Sequence, residues 1–263
     1  MTTPPHVDAI GSAMARRPGL RTRVRWRFCG HILGVGTASG TRIVVGIWPD
    51  SPLGAFADVM VERADGHRLL LADRPEVAAF VTGTYSFDEV VLVPAVRVDL
   101  DARRGGAVHV DAGPLALTAG LGARTALGWA LRAVPSRAAS HPAFTALSDP
   151  VARVLLHGVR TRGTAGGARR EHYGATDLRA VTTLAVSWDG TDLGGLRDVD
   201  PPARFGFSST PRRPGLTRVV TTVVEGPGRG DGACAAPGVR GWAPAPRRGG
   251  ARRPAAARHQ EAP

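Results

Sequence analysis

Arg21, Arg23, Arg25 and Arg27 alternate with Thr22, Val24, Trp26 and Phe28. A period of two is the side-chain period of a β-strand, so the pattern predicts a strand with an arginine face in water and a Val/Trp/Phe face buried. The glycine-rich run 34–40 (GVGTASG) predicts a tight turn, and 42–48 (RIVVGIW) a second strand. Residues 56–63 and 67–72 form a predicted hairpin about Ala64-Asp65-Gly66. Pro75 opens a short helix over 75–84. Residues 90–100 and 107–111 make another hairpin over Arg103-Arg104-Gly105-Gly106, with Pro94 marking a bulge or an edge. A strand over 115–121 follows, then helices over 125–134 and 142–157, the second interrupted at Asp149-Pro150. From Glu171 the chain returns to strands: 181–188, which turns at Asp189-Gly190 and runs on to 193, then 204–208 and 216–224. Hairpin-linked strands with a small helical insertion predict a β-rich α+β fold. It is an antiparallel sheet or barrel-like meander with short helices at about 125–157, not a doubly wound sheet.

The elements divide the chain into a flexible lead-in (1–20), a single β-rich domain (21–225) and a disordered Gly/Pro/Ala/Arg-rich tail (226–263). Apolar residues make up 43% of the 263, enough for the middle segment to bury a core. The formal charge is +12, and the tail holds seven arginines against Asp231 and Glu261. Such a balance invites non-specific nucleic acid or another acidic surface as a partner. Part of the arginine excess is compositional, because the chain has no lysine and no asparagine, the signature of GC-rich codons. The missing lysine excludes a Schiff-base amine, a lysine general base and a Walker-type phosphate lysine. Cys29 and Cys234 cannot build a disulfide framework, so a reduced, cytoplasmic setting is expected. No apolar run is long enough for a transmembrane segment, and the N-terminal residues lack the pattern of a signal peptide. No cofactor is expected, and Cys29-x-His31 has no second cluster to complete a metal site.

Four places carry candidate chemistry. Gly34, Gly36 and Gly40 resemble a phosphate loop in spacing, but a β pattern follows them instead of a helix N-terminus. Asp58 and Glu62 share one face of a strand about 13 Å apart, too far for an acid–base pair. Either can act singly opposite an arginine, or both can belong to a solvated face. The Arg21–Arg27 ladder is either a rail for nucleic-acid or lipid phosphates or the charged face of an edge strand. The stretch holding Arg160, Arg162, Arg169, Arg170, His172 and Tyr173 is glycine-rich. As an open loop it offers backbone N–H groups and arginine forks to a small anionic ligand, with His172 and Tyr173 as proton donors. The Phe205-Gly-Phe207 segment fits core packing better than ligand stacking.

Segments 40–72 and 158–213 resemble an uncharacterised family of actinobacterial proteins. The SPLGAF loop and the strand after it, with Asp58, are also similar to the acetoacetate-decarboxylase-like superfamily. That second resemblance covers about a tenth of the chain and implies a β-rich barrel with a small-molecule pocket. The decarboxylases of the superfamily use a Schiff-base lysine, so that route does not carry over. The expected function is binding of a small anionic or carbonyl-containing metabolite, with lysine-independent enzymatic activity open. The alternative is a non-catalytic basic module that docks on nucleic acid or an acidic surface through Arg21–Arg27 and the tail.

Overall fold

Leu69, Leu70 and Leu71 are all fully buried, which a strand with one face in water does not allow. The cause is a curled sheet covered on both sides over half its width. The computed structural model describes residues 24–133, 162–165, 169–206, 210–225 and 238–243. Its strands are β1 (Val24–Thr37), β2 (Arg42–Asp50), β3 (Phe56–Glu62), β4 (Arg68–Ala72), β5 (Glu89–Leu92), β6 (Arg97–Leu100) and β7 (Ala107–Ala112). They continue with β8 (Leu115–Arg124), β9 (Arg162–Ala165), β10 (Arg169–Trp188), β11 (Thr191–Asp192), β12 (Leu196–Arg197), β13 (Gly215–Glu225) and β14 (Gly238–Gly241). The helices are α1 (Pro75–Thr82) and α2 (Ala126–Ala133).

The sheet order is β14-β5-β4-β3-β2-β1-β13-β10-β8-β7-β6, with β9 and β11 on β10 and β12 on β1. The end strands β14 and β6 do not pair with each other among the described residues, so the sheet stays open and does not close into a barrel. Ladders are antiparallel except β4–β5 and β5–β14, which are parallel. The β-rich α+β class read from the sequence is therefore the observed one, realised as a mixed sheet.

One core draws on strands from both ends of the path, among them Leu33, Val45, Val59, Leu71, Val108 and Leu117. Strands so distant in the order share a core only because the sheet bends over itself. A second core lies on the other face of β1–β5, where Phe28, Val44 and Leu70 meet Val77 and Val81 of α1 and Phe205. The outer face of β6–β8 has no such cover among the described residues, and there burial alternates strictly along β7.

Several expectations need correction. β1 runs through Gly34 and Gly36, and the chain turns only at Ala38–Gly40. A Cβ on Gly36 would fall on the carbonyl oxygen of Asp198, so this glycine permits close approach of the segment after β12. The strand expected over 90–100 is two strands: β5 pairs with β4, β6 forms the far edge, and Pro94 lies in the crossing between them. Residues 204–206 are not a strand. From Cys29 onward β1 lies between β2 and β13, but Arg25 and Arg27, before that point, pair only with β13 among the described residues. The lead-in and the predicted helix over 142–157 lie outside the described residues. Within the expected disordered tail, 238–241 form β14 on β5, Arg240 pairs with Glu89, and Trp242 packs against the first core.

Candidate functional site

β3 lies in the doubly covered half, and both of its acids are buried. Glu62 is 0% exposed. Its Oε1 lies 2.9 Å from Arg42 Nη2 and 3.2 Å from Arg204 Nε, while its Oε2 accepts the Arg204 backbone N–H at 2.6 Å. Glu62 thus ties β2 and β3 to the segment that covers them. Asp58 is 1% exposed and its Oδ1 accepts a hydrogen bond from Trp48 Nε1 at 3.1 Å. A solvated strand face is excluded for both.

The stretch around Arg160–Tyr173 is not an open loop where it is described. Arg169, Arg170 and His172 pair with Ala165, Thr164 and Arg162, so β9 and β10 form a hairpin and their amides serve the ladder. Tyr173 continues β10, opposite Thr221. Arg160 and residues 166–168 lie outside the described residues, as do Arg21 and Arg23.

A different set of charged residues converges where the first core ends. β-register places His31 opposite Arg218, Arg218 opposite Asp177, and Arg179 opposite Arg124, across β1, β13, β10 and β8. A bulge on β10 between Ala175 and Asp177 makes this possible. One extra residue, Thr176, brings Asp177 rather than its neighbour opposite Arg218, the re-aiming that bulges characteristically produce. His31, Arg124, Asp177, Arg179 and Arg218 line a cleft of about 320 Å³ together with Ala102 and Leu216. That volume falls within the range of small-molecule sites.

The electrostatics of the cleft are uneven. Arg124 Nε and Nη2 donate to the two oxygens of Asp177 at 2.6 and 2.9 Å, a bidentate pair. Burial alone would raise the Asp177 pKa, but the Arg124 hydrogen bonds and charge, the Leu178 N–H and the Arg179 charge outweigh it and hold it below the ordinary value. The same pairing raises that of Arg124. His31 moves down, first because it is buried and then because Arg218 is near, with Asp177 opposing. At neutral pH it is therefore a neutral imidazole, able to donate one hydrogen bond and accept another. Three guanidinium groups face one carboxylate, which leaves an excess of two positive charges. Such a cleft can grip a carboxylate or phosphate and can place an imidazole beside it.

Of these residues the sequence points only to His31, as half of a Cys29-x-His31 pair that has no second cluster to complete a metal site. One signal was available. His31, Asp177, Arg179 and Arg218 continue the in-facing parity of Leu33, Val181 and Leu216, so they are polar or charged side chains at positions where apolar residues are due. No family model, curated protein or solved structure matches the chain.

Proposed function

We propose that the protein binds a small anionic or carbonyl-containing metabolite in the cleft formed by His31, Arg124, Asp177, Arg179 and Arg218. The observation that supports this reading is the excess of guanidinium over carboxylate around a cleft of metabolite size. Arg124 is held in place by Asp177, leaving Arg179 and Arg218 to meet the ligand's charge. His31 would supply the proton donor or acceptor for any lysine-independent turnover.

Calorimetric titration of the full chain with inorganic phosphate and with succinate tests the reading. Saturable binding of at least one is expected, weakened about tenfold or more by Arg218→Ala, the scale of one lost charge-assisted contact. Arg218 is exposed, so the variant's stability should stay within about 0.5 kcal/mol of the parent. Binding that ignores Arg218 would place the ligand elsewhere.

A second reading rests on the rows next to the cleft. Arg27, Thr222, His172 and Arg162 align across β1, β13, β10 and β9, and Arg25, Val224, Arg170 and Thr164 align beyond them. A basic strip of this kind suits a polyanion. Salt-sensitive, sequence-independent binding of a DNA duplex, lowered by Arg27→Ala, would favour it over the metabolite.

A further inference from the structure

The face of the sheet opposite the arginine cleft carries a second cavity of contrary character. β2 sets Gly46 opposite Asp58 on β3. A Cβ at Gly46 would fall on Asp58 Oδ1 and Trp48 Nε1, so glycine there is what lets the carboxyl group and the indole meet. Trp48 Nε1 donates to Asp58 Oδ1, and the acid, nearly inaccessible to solvent, lines a cavity of about 40 Å³. The other walls are mainly aromatic or aliphatic, with Phe28, Phe56, Phe80 and Tyr85 beside Trp48, and Thr84 and Thr221 add two hydroxyl-bearing side chains. The Phe28 and Phe80 ring centroids are 4.9 Å apart, and those of Phe28 and Trp48 are 5.8 Å apart. Trp48, Phe80 and Tyr85 are half-buried and mark the mouth, whereas Asp58 and Phe28 lie deeper.

We propose that this cavity receives the cationic end of a small organic amine, with Asp58 as its counter-ion and the rings as its walls. Three properties converge on that class. A buried carboxyl group offers an anion no opposite charge, an ammonium beside it offsets the cost of holding its charge away from water, and a wholly apolar guest would gain nothing from it. Ring faces attract cations, most strongly where water is excluded. The volume holds about three water-sized groups, taking ~10–15 Å³ for each. That suits a headgroup, with the rest of the ligand leaving through the half-buried rings. The site is separated from the arginine cleft by the sheet itself, so it stands or falls independently of the anion reading.

The test is calorimetric titration of the full chain with ethylammonium chloride, with ethanol as the neutral match in size and sodium chloride as the ionic-strength control. Ethylammonium is expected to bind saturably, and ethanol at least about tenfold more weakly. Asp58→Asn keeps the size of the side chain and an oxygen for the Trp48 N–H. It should weaken ethylammonium at least about tenfold. Phe80→Leu thins the mouth without touching the acid and should weaken it about threefold or more. It also serves if the Asp58 variant does not fold. Failure to saturate, equal affinity for ethanol, or affinity unchanged in either folded variant overturns the proposal.

Discussion

β4 and β7 are both short strands flanked by a strand on each side, yet they meet water differently. β4 buries Leu69, Leu70 and Leu71 in succession, with Leu70 in one core and its neighbours in the other. β7 buries Val108 and Val110 and leaves His109 and Asp111 exposed. Backbone geometry is the same in both, and the difference is what lies across the outer face. Over β4 it is α1 and the segment around Phe205. Over β7 it is an open groove lined by Asp99, His109, Asp111 and Thr118. A charge on the outer face of the first half must be compensated by a partner, whereas one in the second half is simply hydrated.

Removing such a partner gives the largest expected effect. Glu62→Ala leaves the Arg42 guanidinium, whose side chain is 6% exposed, without its carboxylate. Breaking a buried pair from one side costs about 3–5 kcal/mol. Asp99→Ala, on the exposed face of β6, should stay within ~0.5 kcal/mol. Urea unfolding of both variants measures the contrast, and equal losses would show that the two halves are not differently covered.

Apolar truncation should follow the same division at smaller amplitude. Leu70→Ala removes a fully buried side chain from the face covered by α1 and is expected to cost about 2–5 kcal/mol. The positional counterpart on β7 is His109, which is exposed and hydrogen-bonded to Thr118, and His109→Ala should change stability by about 0.5 kcal/mol or less. A small effect at Leu70 would mean that α1 does not seal this face in solution.

The same division explains what could be read from the sequence. The strands over 42–48, 56–63, 67–72 and 107–111 were legible because alternation or an apolar run between turn residues marks a strand whatever covers it. What covers it was not legible. Asp58 and Glu62 alternate with Val59 and Val61 as a half-wet strand would, yet all four are buried. The partners that make this tolerable, Trp48, Arg42 and Arg204, lie 10, 20 and 142 residues away. The arginine cleft was hidden for a related reason. Its members come from β1, β8, β10 and β13, and the bulge that turns Asp177 toward Arg218 has no local composition signal. Pro94 signals a bulge or an edge from its missing N–H, but nothing local shows that the strand ends there and the chain crosses from one half of the sheet to the other.

The smallest effect compares one surface carboxylate from each half. Asp88, just before β5, receives Arg68 Nε and the Arg68 backbone N–H on Oδ2, at 3.0 and 2.9 Å, and Arg68 Nη2 on Oδ1 at 2.7 Å. The Arg68 side-chain hydrogen bonds, then its backbone N–H, lower the Asp88 pKa from 3.8 to about 2. A depressed carboxylate stabilises the fold above its unfolded value, and the contribution is lost as pH falls from 3.8 through about 2. Because the Asp88 side chain is 38% exposed, solvent screening holds the gain to about 1 kcal/mol or less. Asp88→Asn should therefore lower the urea midpoint slightly at pH 5, and the gap from the parent should close toward pH 2. Among the described residues, Asp101 in the other half pairs with Arg103 alone, two residues away in the same turn. A contact so local can form in the unfolded chain as well, so Asp101→Asn should leave the midpoint unchanged across the same range. If instead the Asp88 gap persists undiminished at the acid end, the residue acts through shape and not charge. The long-range tie between the start of β4 and the approach to β5 would then be steric.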